Sequence, residues 1–311
     1  MVRHKVIVNP VAGRGAAAHA IPTIEQLLEM YGLEYDLERT EHPWQAAEIA
    51  REAALRGYDV VVAAGGDGTS NEVLNGLMAA KQEGADCAMG VLCVGRGNDF
   101  AFGVNIPADL EAGVAALARG HRRTIDVGRV SKNGRSEGRY FGNGIGVGFD
   151  AVVGFEASKF ARLGGFIGYL VGVFKALMLY DQAPTVSIEY DGKEIVQPAL
   201  MVSVMNGRRM GGGFMMTPNS RPDDGQFDLC IADKVSRAGV LALIPHFIRG
   251  TQVDKKAITM GRSPTVTVRA VEGSLPAHAD GETLCEEGES LAFEIVPQQI
   301  EVVVDEEGET E

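Results

Sequence analysis

Cysteine is scarce in this chain and scattered. Its four residues among 311, Cys87, Cys93, Cys230 and Cys285, form neither a CxxC pair nor the regular spacing of a disulfide framework. A stapled secreted scaffold is thereby excluded, and reduced thiols in a cytoplasmic protein are expected. Positive charge is also in deficit: 29 Lys and Arg stand against 42 Asp and Glu, a formal net charge of −13. A nucleic-acid binder carries a basic face, so nucleic acid is excluded as a partner. Long hydrophobic runs are absent too. The longest, residues 166–180, is broken by Gly168, Gly172 and Lys175 and is too short to span a bilayer. No early stretch joins a basic segment to an apolar one, so a secretory leader is not expected.

What is present fits a globular protein of one large domain or, by length, two: hydrophobic residues make up 45% and charged residues 23%. The acidic excess is partly local, at Glu286, Glu287 and Glu289 and again in the tail from Asp305, as in solvated turns and frayed ends. Basic residues gather at Arg119, His121, Arg122 and Arg123 and at Arg129, Lys132, Arg135 and Arg139, where they suit phosphate, a lipid surface or plain solvent. Neither an internal repeat nor a low-complexity segment interrupts the chain.

The first 125 residues alternate strand and helix. Strands are predicted over 5–9, 34–38, 59–64 and 88–94, and helices over 16–31, 44–55 and 72–80. Continuous apolar strands between amphipathic helices mean an open parallel sheet with ligands at its C-terminal edge. Beyond Asp126, strand-like pieces predominate: 125–131, 140–147, 185–190, 200–206, 227–232, 265–270 and 290–295, with Asp191-Gly192 as a hairpin turn. Helical inserts are expected over 149–180 and 236–250. The fold class is therefore α/β: an N-terminal parallel-sheet domain (1–125) and a mainly antiparallel C-terminal domain with helical inserts (126–296).

Gly is abundant, 40 residues, and much of it sits where strands end. After the strand at 59–64 come Gly65-Gly66-Asp67-Gly68-Thr69-Ser70-Asn71-Glu72. Unhindered backbone N–H groups, a carboxylate and a hydroxyl thus meet at one helix N-terminus, a setting suited to nucleotide phosphates. Gly95-Arg96-Gly97-Asn98-Asp99 repeats that arrangement after the next strand, with Asn98 equally suited to a helix N-cap. After the first strand, Gly13-x-Gly15-x-x-Ala18 is a weak match to a dinucleotide fingerprint, and Asn9-Pro10 before it is foreign to that pattern.

Taken together, Asn9-Pro10-x-Ala12-Gly13, the Gly-Gly-Asp-Gly-Thr-x-Asn-Glu-Val run and Gly-x-Gly-Asn-Asp-Phe-Ala resemble the diacylglycerol kinase catalytic-domain family. That family of lipid kinases includes sphingosine and ceramide kinases and soluble bacterial diacylglycerol kinases. The likeness continues through Asp126-Val127-Gly128, Phe141-x-Asn143-x-x-Gly146-x-Gly148-Phe149-Asp150-Ala151, Asn206-Gly207, Gly211-Gly212-Gly213-Phe214, Pro218, Asp223-Asp224-Gly225-x-Phe227-Asp228 and Asp280-Gly281-Glu282. It spans Asn9 to about Val304.

The resemblance implies ATP-dependent phosphorylation of a lipid hydroxyl. It also implies a β-sandwich-like second domain, with residues 297–311 packing back on the first. On it, Asn9, Pro10, Val11, Ala12, Gly13, Thr40, Gly66, Asp67, Gly68, Thr69, Ser70, Asn71 and Glu72 fall at ATP-binding positions, and Arg96 and Asn98 in a nucleotide-contacting loop. Asp67 would organise catalytic Mg²⁺, with Asp126 in support, and Glu282 aligns with the proton acceptor. Arg221, Asp224 and Gln226 match a structural magnesium site, Arg221 and Gln226 through backbone carbonyls. A cytoplasmic protein that visits the membrane surface transiently is implied, and a homodimer is left open. Taken alone, Asp280-Gly281-Glu282 and Pro222-Asp223-Asp224-Gly225 are ordinary turns.

Where the family usually has Pro-x-Gly-Thr, this chain has Cys93-Val94-Gly95-Arg96. Loss of the proline loosens the turn, and Arg96 brings a cation able to pair with phosphate on ATP or on an unusual substrate. An NAD kinase, which shares Gly-Gly-Asp-Gly-Thr, and a non-catalytic nucleotide- or lipid-binding relative are the alternatives. For an acyl chain, the helical stripes Phe160, Leu163, Phe166, Ile167, Leu170, Phe174 and Leu177, and residues 240–248, offer a wall or ordinary core.

Overall fold

Alternating apolar strands and amphipathic helices build the first part of the chain, and the computed structural model arranges them as follows. It describes residues 2–134, 138–159, 165–179 and 183–305. The chain divides into two units, one formed by residues up to Asp126 together with those from Pro297 onward, the other running from Val127 to Val296.

In the first unit, β1 (Arg3–Val8), α1 (Ala16–Met30), β2 (Glu34–Arg39), α2 (Gln45–Leu55), β3 (Val60–Gly65), α3 (Asp67–Gln82) and β4 (Ala88–Cys93) follow one another. The strands pair in parallel in the order β2-β1-β3-β4. Every residue of β3 is buried, as a strand covered on both faces requires. Ile21, Ile24, Leu27 and Leu28 of α1 close one face of this core together with Val6, Val8, Val60, Val62 and Leu92. Two short helices, α4 (Asp99–Gly103) and α5 (Leu110–Arg119), complete the layer. In α5 the Asp109 side chain accepts from the Ala112 N–H, and left-handed Gly120 ends the helix.

The spacing predicted α3 from residue 72, whereas it starts at Asp67. Gly66 is extended and has no side chain to cap the helix, and Asp67 sits in the first turn, where the helix dipole favours a carboxylate. The polar run that reads as a loop is therefore the first helical turn.

The second unit is antiparallel. It opens on the latter part of β5 (Arg122–Lys132), which pairs with β6 (Gly138–Phe141). Then come β7 (Gly144–Gly148), the helices α6 (Phe149–Lys159) and α7 (Gly165–Leu179), and the strands β8 (Thr185–Tyr190), β9 (Lys193–Met205) and β10 (Phe227–Asp233). After α8 (Arg237–Arg249) follow β11 (Ile258–Ser263), β12 (Thr265–Glu272), β13 (Leu275–Ala279), β14 (Glu282–Gly288) and β15 (Ser290–Val303). Long β9 serves two sheets: its first half pairs with β8, and its second half pairs with β7 and β10. Val202, Val204, Phe227, Ile188, Val268 and Phe293 meet in one core between them. Phe141 stacks on Phe227 with centroids 5.5 Å apart. A Cβ on Gly128 would meet the Phe141 ring at 2.2 Å, which explains the glycine after Asp126-Val127.

The strand expected over 140–147 is broken into β6 and β7 at Gly142-Asn143, where both backbone N–H groups turn to the Asp280 carboxylate. Strands β11, β13 and β14 were not anticipated, nor was α5, whereas α4 begins at Asp99, where the glycine-rich loop after β4 reads as a helix start. The expected insert over 149–180 is the helix pair α6 and α7; residues 160–164 and 180 lie outside the described ones.

Candidate active site

Parallel topology brings the C-terminal ends of β1, β3 and β4 to one edge of the first sheet. Asn9, just past β1, donates from Nδ2 to Thr69 Oγ1 at 3.1 Å, while its Oδ1 accepts the Val11 N–H at 3.2 Å. One side chain thus fixes the first loop to α3. Pro10 and Ala12 are half-buried there and Val11 is exposed. Gly13 has φ +58, and a Cβ on it would lie 2.5 Å from the Val94 carbonyl oxygen, so only glycine fits. Buried Thr40 follows β2 and donates its N–H to Val8 O at 2.9 Å.

The loops after β3 and β4 are in intimate contact. A Cβ on Gly95 would stand 2.4 Å from Gly66 Cα, and one on Gly97 would stand 2.6 Å from Asp67 Oδ2. Asp67 Oδ1 accepts the Phe100 N–H at 3.0 Å, which orients the carboxylate by the first turn of α4. Gly66, Asp67 and Gly68 are half-buried at the start of α3. Thr69, Ser70 and Asn71 are buried, so what this stretch presents outward is backbone N–H and the Asp67 carboxylate. Glu72 turns its carboxylate to the Ala46 N–H at the start of α2, 3.2 Å away. Arg96 is exposed at the loop tip, and Asn98 is left-handed (φ 52) with no side-chain capping bond.

Asp126 is fully buried at the end of the first unit's main segment. Its Oδ1 accepts the Gln298 backbone N–H at 2.8 Å, Gln298 having the positive φ of 52. The carboxylate therefore pins the point where the returning chain enters this unit, a role the sequence did not reveal.

In the second unit, Glu282 opens β14 and is exposed; its side chain makes no hydrogen bond or ion pair with a described residue. The residue two before it is the opposite. Asp280 is 5% exposed, and its carboxylate accepts the N–H groups of Gly142 (2.9 Å), Asn143 (3.1 Å) and Gly144 (2.8 Å). Asn206 Nδ2 adds a bond to Gly142 O at 3.0 Å. On β13, just before Asp280, His278 Nε2 lies 3.3 Å from Asp150 Oδ2, both buried. Sequence reading assigned no role to Asp280, His278 or Asn206, whose partners lie far away in the chain; Asp280 and Asn206 stood only as members of the family-like motifs, and Asp280 as a turn residue.

Arg221, Asp224 and Gln226 share the loop before β10. The Gln226 N–H donates to Asp224 Oδ1 at 3.2 Å, and the Arg262 guanidinium pairs with Asp224 Oδ2. Arg262 Nε also lies 3.2 Å from Asp228 Oδ1. Burial pushes the Asp228 carboxyl above the usual carboxylate range, with Arg262 pulling it back. Oxygen donors are the chemistry Mg²⁺ accepts, so the Asp224 carboxylate fits the ion in kind, while in this structure the Gln226 N–H and the Arg262 guanidinium engage its two oxygens.

A cavity of about 60 Å³ also lies within the second unit, walled by Phe149, Val173, Met201, Phe214, Val240 and Phe247, with Asp150 as its charged member. Of the residues expected at an acyl wall, Val240, Leu243, Ile244 and Phe247 of α8 line it. Leu177 is buried beside them in the same cluster, whereas Phe174 is 53% exposed. Phe160 and Leu163, and the side chains of Phe166 and Ile167, lie outside the described residues.

Residues 3–130 match the diacylglycerol kinase catalytic domain, and residues 143–304 match the YegS C-terminal NAD kinase beta sandwich-like domain. The diacylglycerol kinase of Bacillus subtilis is 33% identical over 286 residues, covering 91% of this chain and 90% of that one. That of Mycobacterium tuberculosis is 27% identical, with 91% of each chain covered. Among solved structures, a diacylglycerol kinase from Bacillus anthracis superposes with a TM-score of 0.72 at 21% identity over 97% of each chain. An NAD kinase from Archaeoglobus fulgidus shares the fold at 0.52 and 15% identity, covering 98% of this chain and 94% of that one. With the Asp67-bearing strand-end loops, the antiparallel second unit and this end-to-end similarity in view, the chain belongs to the diacylglycerol kinase family.

Proposed function

We propose that this protein is an ATP- and Mg²⁺-dependent lipid kinase that moves the γ-phosphate of ATP to the hydroxyl of a diacylglycerol-like lipid. The observation that carries this reading is the joined pair of loops after β3 and β4. There the backbone of Gly66, Gly68 and Thr69 at the α3 N-terminus, and the Asp67 carboxylate held by the Phe100 N–H, form a preorganised phosphate cradle. The names of the curated relatives supply the acceptor class.

On this reading Asn9, Pro10, Val11, Ala12, Gly13 and Thr40 border the nucleotide, and Arg96 and Asn98 cover it. Arg96 pairs with phosphate from its exposed position. Thr69, Ser70, Asn71 and Glu72 hold the cradle in shape through their own bonds and burial. Asp67, supported by Asp126, would hold the Mg²⁺ that accompanies ATP, and Asp224 with the carbonyls of Arg221 and Gln226 would hold a structural one. When bound, Mg²⁺ neutralises charge on the transferring phosphoryl group. Glu282 takes the proton from the lipid hydroxyl as its oxygen attacks the γ-phosphorus, and ADP leaves.

The apolar cavity bounded by α8 suits part of an acyl chain. No helix among the described residues is long and apolar enough to cross a membrane. On this reading the protein is cytoplasmic and meets its lipid by transient association with the membrane surface. Incubation with labelled ATP, Mg²⁺, a lipid panel and NAD⁺ tests the assignment. Label in a lipid alone supports it. Label in NAD⁺ overturns it in favour of an NAD kinase, and nucleotide binding without transfer to any acceptor overturns it in favour of a non-catalytic relative.

A further inference from the structure

Glu282 has no side-chain partner of its own among the described residues, so its location is set by its backbone. That backbone leaves β13 through a two-residue turn. Ala279 faces Glu282 across the hairpin, and Asp280 (φ 46) and Gly281 (φ 85) are both left-handed, the type I′ pattern. An Asp-Gly turn at the end of a hairpin is ordinarily a solvated tip. This one is anchored: the Asp280 carboxylate is buried and spans the three successive N–H groups of Gly142, Asn143 and Gly144. Its own N–H donates to Gly144 O at 3.0 Å. The donor end of the clamp is itself tied down, because Asn206 donates to Gly142 O through its side chain and to Asn143 O through its N–H at 2.8 Å.

We propose that Asp280 is a positioning residue for Glu282: by gripping the β6–β7 turn it fixes the angle and height at which the hairpin presents the glutamate. The proposal rests on Glu282 being the proton acceptor. Charge-assisted bonds to several N–H groups are strong and directional, and a proton acceptor loses much of its value when displaced by an ångström. An asparagine at 280 keeps the size but replaces one acceptor oxygen with an N–H₂ group. That group meets an N–H donor of the 142–144 turn head on. The hairpin then shifts while the sheet beneath it, held by Ala277 and Ala279 in the core, remains.

The test is a double-mutant cycle of Asp280→Asn and Glu282→Gln, read as single-turnover transfer of labelled phosphate at saturating ATP and lipid. In the wild-type background Asp280→Asn lowers the rate about 10- to 100-fold, with KM for ATP and lipid changed less than about threefold. In the Glu282→Gln background the same substitution costs nothing further, since the group it positions is gone. An equal loss in both backgrounds overturns the positioning role while leaving Glu282 as the base. A wild-type rate in Glu282→Gln alone instead removes Glu282 from the mechanism, and the proposal with it. If Asp280→Asn does not fold, Asp280→Glu takes its place, keeping the charge and both acceptor oxygens but moving them by one methylene from the N–H groups of Gly142, Asn143 and Gly144. It too must lower kcat selectively, and a folded Asp280→Glu protein with wild-type kcat overturns the proposal.

Discussion

The carboxylate of Asp67 accepts the backbone N–H of Phe100 at 3.0 Å, joining the first turn of α3 to the first turn of α4. The bond makes two glycine-rich loops one structure and leaves the second oxygen of Asp67 beside Gly97. Losing the bond should cost stability less than losing the carboxylate costs turnover. Asp67→Ala should forfeit about 1 kcal/mol of stability and at least about 100-fold in kcat. Thermal melting and steady-state kinetics on one preparation check this, and a variant with wild-type kcat would sink the role of Asp67.

Gly97→Ala tests the spacing between the loops. The new methyl would lie 2.6 Å from Asp67 Oδ2, so the carboxylate must move or the loop must open. Nucleotide affinity should fall about tenfold, a loss of ~1.4 kcal/mol. Calorimetric titration with ATP and Mg²⁺ measures it; unchanged affinity would mean that the loop does not bear on the nucleotide.

Arg262 occupies the carboxylate that a structural Mg²⁺ would need. Magnesium added to the wild-type protein should raise Tm by mass action, and Asp224→Asn should abolish the increment. Arg262→Gln should make the increment appear at lower Mg²⁺ concentration, because the ion no longer competes with a guanidinium. A Tm response that is the same in all three proteins contradicts an ion at Asp224.

Thiols pushed up by burial should make stability fall in alkali, Cys285 modestly and two others strongly. Burial pushes Cys87 up to about 12, and burial, with a smaller contribution from the Asp150 charge, pushes Cys230 up to about 12. Unfolded thiols ionise near ~8.5, so above that pH the native state holds the extra protons. Stability is then complete below about pH 8.5 and is lost progressively as pH rises toward 12, by on the order of 1 kcal/mol per unit for each thiol. Urea midpoints at pH 8 and pH 10.5 should separate in the wild type and move closer together in Cys230→Ala. An equal separation in both proteins rules Cys230 out as a source.

Much of the first unit is legible in the sequence. Strand β3 is a continuous apolar run, and α1 repeats Ile21, Ile24 and Leu28 at helical spacing. The start of α3 was not, because Gly-Asp-Gly-Thr carries loop residues and the helix is held there by Phe100 and by the strand end. Strands β13 and β14 escaped for different reasons. Leu275-Pro276-Ala277-His278-Ala279 buries every residue but mixes a proline and a histidine among small side chains. Strand β14 is mostly exposed and acidic, with Cys285 and Gly288 as its buried residues. The Asp280 clamp joins residues 136–138 positions apart, a distance at which local pattern carries no information.

The most direct test of the account is transfer of label from γ-labelled ATP to diacylglycerol in mixed vesicles with Mg²⁺. Wild type, Asp67→Ala and Glu282→Gln proteins would be compared at equal concentration. The account predicts a labelled, lipid-extractable product from the wild type and at least about a 100-fold loss in each variant, with all three folded. No label in lipid from the wild type, or wild-type transfer from either variant, would contradict it.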